Sequence, residues 1–329
     1  MGRLPRFPLR ILQVGLGLVI SAGLLVVLLM RVDLTLLGQH LARTRWNWIV
    51  ASGALALLSV WVRARRWRYL FPPGSDLSVL GRAAMIGYMV NNVAPLRAGE
   101  IVRVYVVARH WPHGFWLVLA TVMVERVIDG LTLIALLAML TAVAPVPAAL
   151  GGAAAIFLAF AVVGALALAA IAAAPGTCRW VVHALVGRWP SLERRALHAL
   201  DTFSRGLVGV RAPAHALPLL GWTAASCLVP MLTAWAAMFA AGLSLGIVAA
   251  LAVVTFVGLG SSVPSAPGNI GVTHAAAVLA LLMFGVPEVA ALGYAVVLHA
   301  TVFVPVTLCG WIFLLREHVS LREARETGR

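Results

Sequence analysis

Long apolar runs, broken by short basic or Gly/Pro-rich stretches, set the pattern of this chain. About 20 apolar residues in helical form cross the hydrocarbon of a bilayer, and that length marks the spans. Residues 11–30 are the first, behind Arg3, Arg6 and Arg10. A secretory leader has a shorter apolar core and a small-residue cleavage site. Here Arg31-Val32-Asp33 follows instead, so the run reads as an uncleaved span. A short outer loop with Asp33, Arg43 and Arg45 leads into residues 46–62. That second span ends in WVRARRWRYLF, whose Arg63, Arg65, Arg66 and Arg68 mark a cytoplasmic end. The aromatics Trp61, Trp67 and Tyr69 fit the headgroup belt. Residues 115–144, 150–174, 217–241 and 289–315 complete six full spans.

Two segments break this pattern. Residues 79–93 are short and end in Asn91, Asn92 and Pro95, while 96–113 carry too many charges for a crossing. Residues 247–263 run into Pro264-Ser-Ala-Pro-Gly-Asn269 before 270–284 resume the apolar character. Loop charge decides how they sit. If 79–113 dips in and returns, and 247–286 does so from the opposite face, every basic loop but the first lands inside. The expectation is one all-α polytopic membrane domain over 1–329, with two opposed re-entrant helical hairpins and both termini cytoplasmic. Residues 175–213 carry Arg179, Arg188, Arg194, Arg195 and Arg205 among Trp180, Leu185 and Leu192, which predicts amphipathic helices on the membrane surface.

The hairpin tips share Pro-x-x-x-Gly-[Glu/Asn]-Ile, as Pro95 to Ile101 and as Pro264 to Ile270. Proline ends one half-helix and glycine permits the turn into the next. Half-helix amino ends aim backbone N–H groups at the midplane, where an anion can sit. Opposed broken helices are a recurring plan of transporters built as inverted repeats. The gate positions are therefore Pro95 and Gly99 on one tip and Pro264, Ser265, Pro267, Gly268 and Asn269 on the other. Chance similarity in so Ala/Gly/Pro-rich a chain is the competing explanation.

Composition agrees with a membrane location. Of 329 residues 62% are hydrophobic and 11% charged, far from the balance of soluble domains. The formal charge of +14 rests on 25 basic residues, all of them arginine. Guanidinium forks suit two-pronged phosphate binding; biased codon usage accounts for the same count. Anionic lipid headgroups explain the basic loops without a nucleic-acid partner. Cys178, Cys227 and Cys309 are scattered and form neither a metal spacing nor a disulfide framework.

The chemistry concentrates in Arg97, Glu100, Arg103, Glu125, Arg126 and Asp129, three cations and three anions set in an apolar region. Each ionisable side chain at bilayer depth costs roughly 2.5–3.5 kcal/mol, which asks for a purpose. Arg97, Glu100 and Arg103 follow i, i+3, i+6, and Glu125 and Asp129 follow i, i+4, so each set shares a helix face. One reading makes them ion pairs that lock helices. The other makes them the lining of a lipid-phosphate pathway, in which Arg97, Arg103 and Arg126 bind phosphate and the three acids hold those arginines. Arg63, Arg66, Asn91 and Asn92 extend that lining. His274 and His299 are either packed or a proton relay; His110, His113 and His318 look interfacial. No cofactor, metal or nucleotide fingerprint is present, and Ser265 with His274 lacks a hydrolase context.

RARRWRYLF at 63–71, NNVAPLRAGEIVRVY at 91–105, ERVID at 125–129 and SAPGNIG at 265–271 form an ordered set. Together they resemble the lysylphosphatidylglycerol synthase transmembrane family, also called flippase-like, across essentially the whole chain. Its members include the flippase half of aminoacyl-phosphatidylglycerol synthases and stand-alone proteins tied to polyprenyl-phosphate or hopanoid handling. With Arg329 the chain carries no aminoacyl-transferase domain, so a stand-alone member without lysyl transfer is expected. The resemblance implies a flippase or transporter of the bacterial or archaeal cytoplasmic (inner) membrane. Its substrate would be a phospholipid, polyprenyl phosphate or related lipid, and it would not be an enzyme. Asn92, Pro95, Arg97, Gly99, Glu100, Arg103, Glu125, Arg126 and Asp129 match the family's motif positions. The family usually shows Glu near 274 and often Arg near 299, whereas both are His here, a departure from its pattern. A lipid-phosphate phosphatase or glycosyl-lipid transferase is the competing class; the polyprenyl-pyrophosphate phosphatases carry P-G-x-S-R-S where this chain has Pro267-Gly-Asn-Ile-Gly-Val272. A non-transporting partner of a lipid-synthesis enzyme or glycosyltransferase is the third.

Overall fold

In a computed structural model the described residues form twelve α-helices and one 3-10 turn, with no strand among them. Those residues are 34–71, 75–94, 98–110, 114–145, 149–207, 213–262 and 265–317, with isolated positions 23, 26 and 30. The expected first span therefore lies almost wholly outside the described residues, as do Pro95, Arg97, His113, Pro264 and His318.

The helices are α1 (Leu34–Ala42), α2 (Trp46–Arg68), α3 (Leu77–Val93), α4 (Gly99–His110), α5 (Gly114–Val143) and α6 (Ala149–Ala173). Then come α7 (Pro175–Val186), α8 (Pro190–Gly206), α9 (Pro213–Ala240), α10 (Ile247–Gly260), α11 (Val272–Leu282) and α12 (Glu288–Glu317). Four of them, α2, α5, α9 and α12, are each long and apolar enough to cross a bilayer. Large apolar side chains on their outer faces, such as Val50, Leu131, Met139, Leu220 and Leu308, are exposed, as a lipid-facing surface requires and a water-facing one does not tolerate. The protein is a polytopic all-α membrane protein.

Two expectations change in detail. The supposed outer loop before the second span contains α1, whose Leu37 and His40 pack on Gly293 of α12. The second span does not stop at Val62: α2 continues through its arginines to Arg68, because Arg66 and Trp67 are buried against the neighbouring helices rather than left at the surface. Trp67 is fully buried and so is not a headgroup-belt residue, whereas Trp61 is exposed.

Both broken segments form helical hairpins. In the first, α3 starts at an Asp76 N-cap, whose carboxylate accepts from the Ser78 amide at 2.8 Å and is held below its usual range by that bond and by the Ser78 hydroxyl. α3 and α4 pack so closely that the Gly99 position admits no side chain: a Cβ there would lie 1.9 Å from the Gly87 carbonyl oxygen. In the second, α10 and α11 are joined by the 3-10 turn Pro267–Asn269, where Gly268 and Gly271 take left-handed backbone angles of 72° and 85°. Each hairpin has its own apolar core. One gathers Trp67, Ile86, Met89, Val104 and Val122, and the other Met238, Phe256, Leu281, Leu292 and Tyr294. α2 lies along α9, and α12 touches α2, α3, α9 and α11, which ties the two cores into one bundle. The 3-10 turn rests on α3, and Gly268 faces the Asn92 carbonyl and Phe303, so the two hairpin tips meet in the interior.

After α6 the chain bends by 99° into α7. α8 returns onto α5, with Gly206 seated against the Leu117 carbonyl, while Trp180, Leu185 and Leu192 stay exposed.

Candidate functional site

The charged residues of α2, α4 and α5 converge on one point inside the bundle. At its centre is Arg66, 1% exposed, which donates from Nη2 to Glu125 Oε1 at 3.1 Å and to Asp129 Oδ1, and from Nη1 to Ser226 Oγ at 3.3 Å. Glu125 is as buried as Arg66. Its second oxygen lies 2.8 Å from Arg103 Nη2, and Glu100 lies 2.7 Å from that same nitrogen. The N–H bonds of Arg103 do not line up on either oxygen, so these are charge contacts rather than hydrogen bonds. Arg103 also stacks over Trp67, with its guanidinium carbon 4.8 Å from the ring centre. Trp67 is held in turn by donating to Thr121 Oγ1 at 2.9 Å.

A second tier sits beside this one and is more open. Arg63, Arg126 and Asp129 are 27%, 33% and 22% exposed, and Asp129 Oδ2 bridges the two arginines at 3.5 Å and 3.0 Å. All three line a cavity of about 590 Å³, within the size range of small-molecule sites. Asn92, Gly268 and Asn269 of the two tips line the same cavity, together with Tyr88 and His299. The Tyr88 hydroxyl is sealed from solvent and has no hydrogen-bond partner among the described residues. The arrangement is therefore layered. Arg66, Glu125 and Arg103 form a dry support, and Arg63 and Arg126 present their charge to the cavity with one shared carboxylate between them.

The residues expected from sequence fall into three groups. Arg63, Arg66, Glu100, Arg103, Glu125, Arg126 and Asp129 do come together. Arg103 of α4 meets Glu125 of α5, whereas Asp129 is met from α2 and from its own helix. Arg103 is clamped between two acids on a tryptophan and does not line the cavity. The tip residues have structural partners. Asn91 accepts the Gly99 amide at 2.9 Å, Asn92 donates to Thr307 at 2.8 Å, and Ser265 donates to Asn269 at 2.7 Å within the Pro267 turn. His274 and His299 form the third group: their rings stack at 4.9 Å, and His299 continues onto Phe303 at 5.4 Å. The Gly271 amide donates to His274 Nδ1 at 3.3 Å. His110 is not idle at the interface, since it pairs with Glu317 at 3.3 Å, which also holds Arg82. Sequence reasoning missed Tyr88, Ser226 and the cavity hydroxyls. Ser59 lies four residues from Arg63 and Thr132 three from Asp129, a helical spacing that could have found them.

No group of three or more His, Cys, Asp or Glu residues with metal-binding geometry occurs among the described residues. What the fold and site define is a polytopic helical membrane protein with a buried arginine–carboxylate cluster opening on an interior cavity. The chain matches the family described as Lysylphosphatidylglycerol synthase TM region over residues 14–310, and it belongs to that family. That membership places it among membrane proteins of lipid metabolism or transport. Comparison with curated proteins and with solved structures gives no significant match.

Proposed function

We propose that this protein moves a phosphate-bearing lipid across the cytoplasmic membrane, with the phosphate held between Arg63 and Arg126. The observation that carries this reading is the shared carboxylate. Two arginines facing one cavity are bridged by Asp129 Oδ2, which is where a phosphate oxygen would sit. An incoming phosphate displaces Asp129 from these two arginines, and Asp129 keeps its bond to Arg66, so no charge is left unpaired. When the lipid leaves, Asp129 closes the pair again. Arg66, Glu125 and Arg103 position this exchange and do not take part in it. Transport needs no bond-breaking group, and the meeting hairpin tips serve as the gate between the cavity and the far side. The arginines at the end of α2 and along α8 support a reading with both termini in the cytoplasm.

In proteoliposomes, Arg63→Ala with Arg126→Ala is expected to slow flipping of fluorescent phosphatidylglycerol at least tenfold, read by quenching of the outer leaflet. Its melting temperature should stay near that of the unaltered protein, since both side chains are partly exposed. Asp129→Asn is expected to tighten binding of the same lipid while slowing its turnover, because the competing anion is gone. Flipping by the unaltered protein no faster than by empty vesicles, or equal flipping by the double variant, would overturn the reading.

A further inference from the structure

Several hydroxyls on the cavity wall away from the arginines have already spent their protons on backbone carbonyls. Thr132 donates to the Ile128 carbonyl at 2.7 Å, Ser226 to Thr223 at 2.8 Å, Thr233 to Val229 at 2.9 Å and Ser262 to Gly258 at 3.2 Å. Each hydroxyl has one donor and two acceptor sites, so a back-bonded Ser or Thr offers the cavity lone pairs only. Pro230 adds to this set: it lines the cavity inside α9 and has no N–H, which leaves the Ser226 carbonyl without its helical donor. The charged donors, Arg63 and Arg126, stand at the other end. Along α9, Ser226 sits at the level of Arg66 and Thr233 lies seven residues on, about 10 Å further down the helix.

A ligand complementary to this wall has an anion at one end and hydrogen-bond donors within about 10 Å of it. Hydroxyl and ammonium groups both donate. Charge separates them. Asp129 is the only carboxylate among the described cavity-lining residues, and it already faces Arg63, Arg66 and Arg126. Around it four guanidiniums, those of Arg63, Arg66, Arg103 and Arg126, meet three carboxylates, so the described cluster carries an excess cation. With the phosphate bound the cluster is neutral, so an ammonium headgroup would add a cation whose nearest carboxylate, Asp129, is still held by Arg66.

Resting on the phosphate reading above, we infer that the substrate is a lipid phosphate with a neutral polyol headgroup, a sugar ring or a glycerol, and not an aminoacyl or other ammonium lipid. The hydroxyls of that headgroup donate to the Thr132 and Thr233 oxygens while its phosphate meets Arg63 and Arg126. The inference is tested by native mass spectrometry of the purified protein. It is offered equal amounts of phosphatidylinositol, phosphatidylglycerol, phosphatidic acid and phosphatidylethanolamine with the same acyl chains. Phosphatidylinositol or phosphatidylglycerol should be retained about tenfold over the other two, from two hydrogen bonds each contributing a few-fold. A lead for inositol identifies a ring, and a lead for glycerol the shorter polyol.

Thr132→Val with Thr233→Val should reduce the preference to about twofold or less. The corresponding Ser variants, which keep the oxygens, should retain it, as should Thr141→Val, which alters an exposed back-bonded hydroxyl on α5. Phosphatidic acid or phosphatidylethanolamine retained as well as the polyol lipids would overturn the inference and leave the phosphate site standing. Binding of none of the four would overturn both.

Discussion

Glu125→Gln is expected to destabilise the protein by about 3–5 kcal/mol, because it removes the anion that faces two buried cations. Glu125 and Arg66 are each 1% exposed and Arg103 is 5% exposed, so neither arginine can recover solvation by turning outward. The change is nearly isosteric, which makes the loss electrostatic rather than steric. Thermal unfolding in detergent should show a large drop in midpoint, far greater than for Asp129→Asn, whose carboxylate is 22% exposed. Adding Arg103→Met to Glu125→Gln should restore part of the loss, since the uncompensated charge then disappears as well. Equal midpoints for Glu125→Gln and Asp129→Asn would mean that the dry support has no structural role.

Gly99→Ala should be nearly as damaging, for a steric reason. Its Cβ would stand 1.9 Å from the Gly87 carbonyl oxygen and 2.6 Å from the Asn91 amide oxygen that accepts the Gly99 N–H. The first of these is backbone of α3, so relief requires the two helices to separate. The cost is about 3 kcal/mol or more, the upper range for overpacked sites. Gly81→Ala is the matched control on α3, with nothing within 4 Å of its Cβ, and should stay within about 1 kcal/mol of the unaltered protein. A Gly99→Ala protein that melts with the Gly81→Ala control would show that α3 and α4 do not pack as described. Because α4 carries Glu100 and Arg103, the same clash should also disturb the charged cluster.

How far the site could be read in advance depended on which residues were local partners. Glu100 and Arg103 are one helical turn apart and pair as spacing predicts. Arg126 and Asp129 do the same on α5. Arg66 was marked only by its place in a run of arginines that otherwise signals a cytoplasmic helix end. Nothing along the chain distinguishes it from Arg65 or Arg68, yet it donates across 59 and 63 residues to Glu125 and Asp129. Trp67 was misplaced for the same reason. An aromatic beside arginines looks like a headgroup anchor until a facing helix covers it. The hydroxyls of α9 gave no signal because Ser and Thr are tolerated in membrane helices wherever they can bond their own backbone.

The sequence by itself determined that this is an all-helical membrane protein with two broken hairpins and a set of intramembrane charges, since run length, loop charge and turn residues are local properties fixed by hydration and backbone chemistry. Only the tertiary structure decided which charges are sealed and which face a cavity. That choice follows from the packing of α2 against α5 and α9, which buries Arg66 and Glu125 and leaves Arg63 and Arg126 open. Burial between distant helices sets the strength of each ion pair, and no pattern along a single helix encodes it.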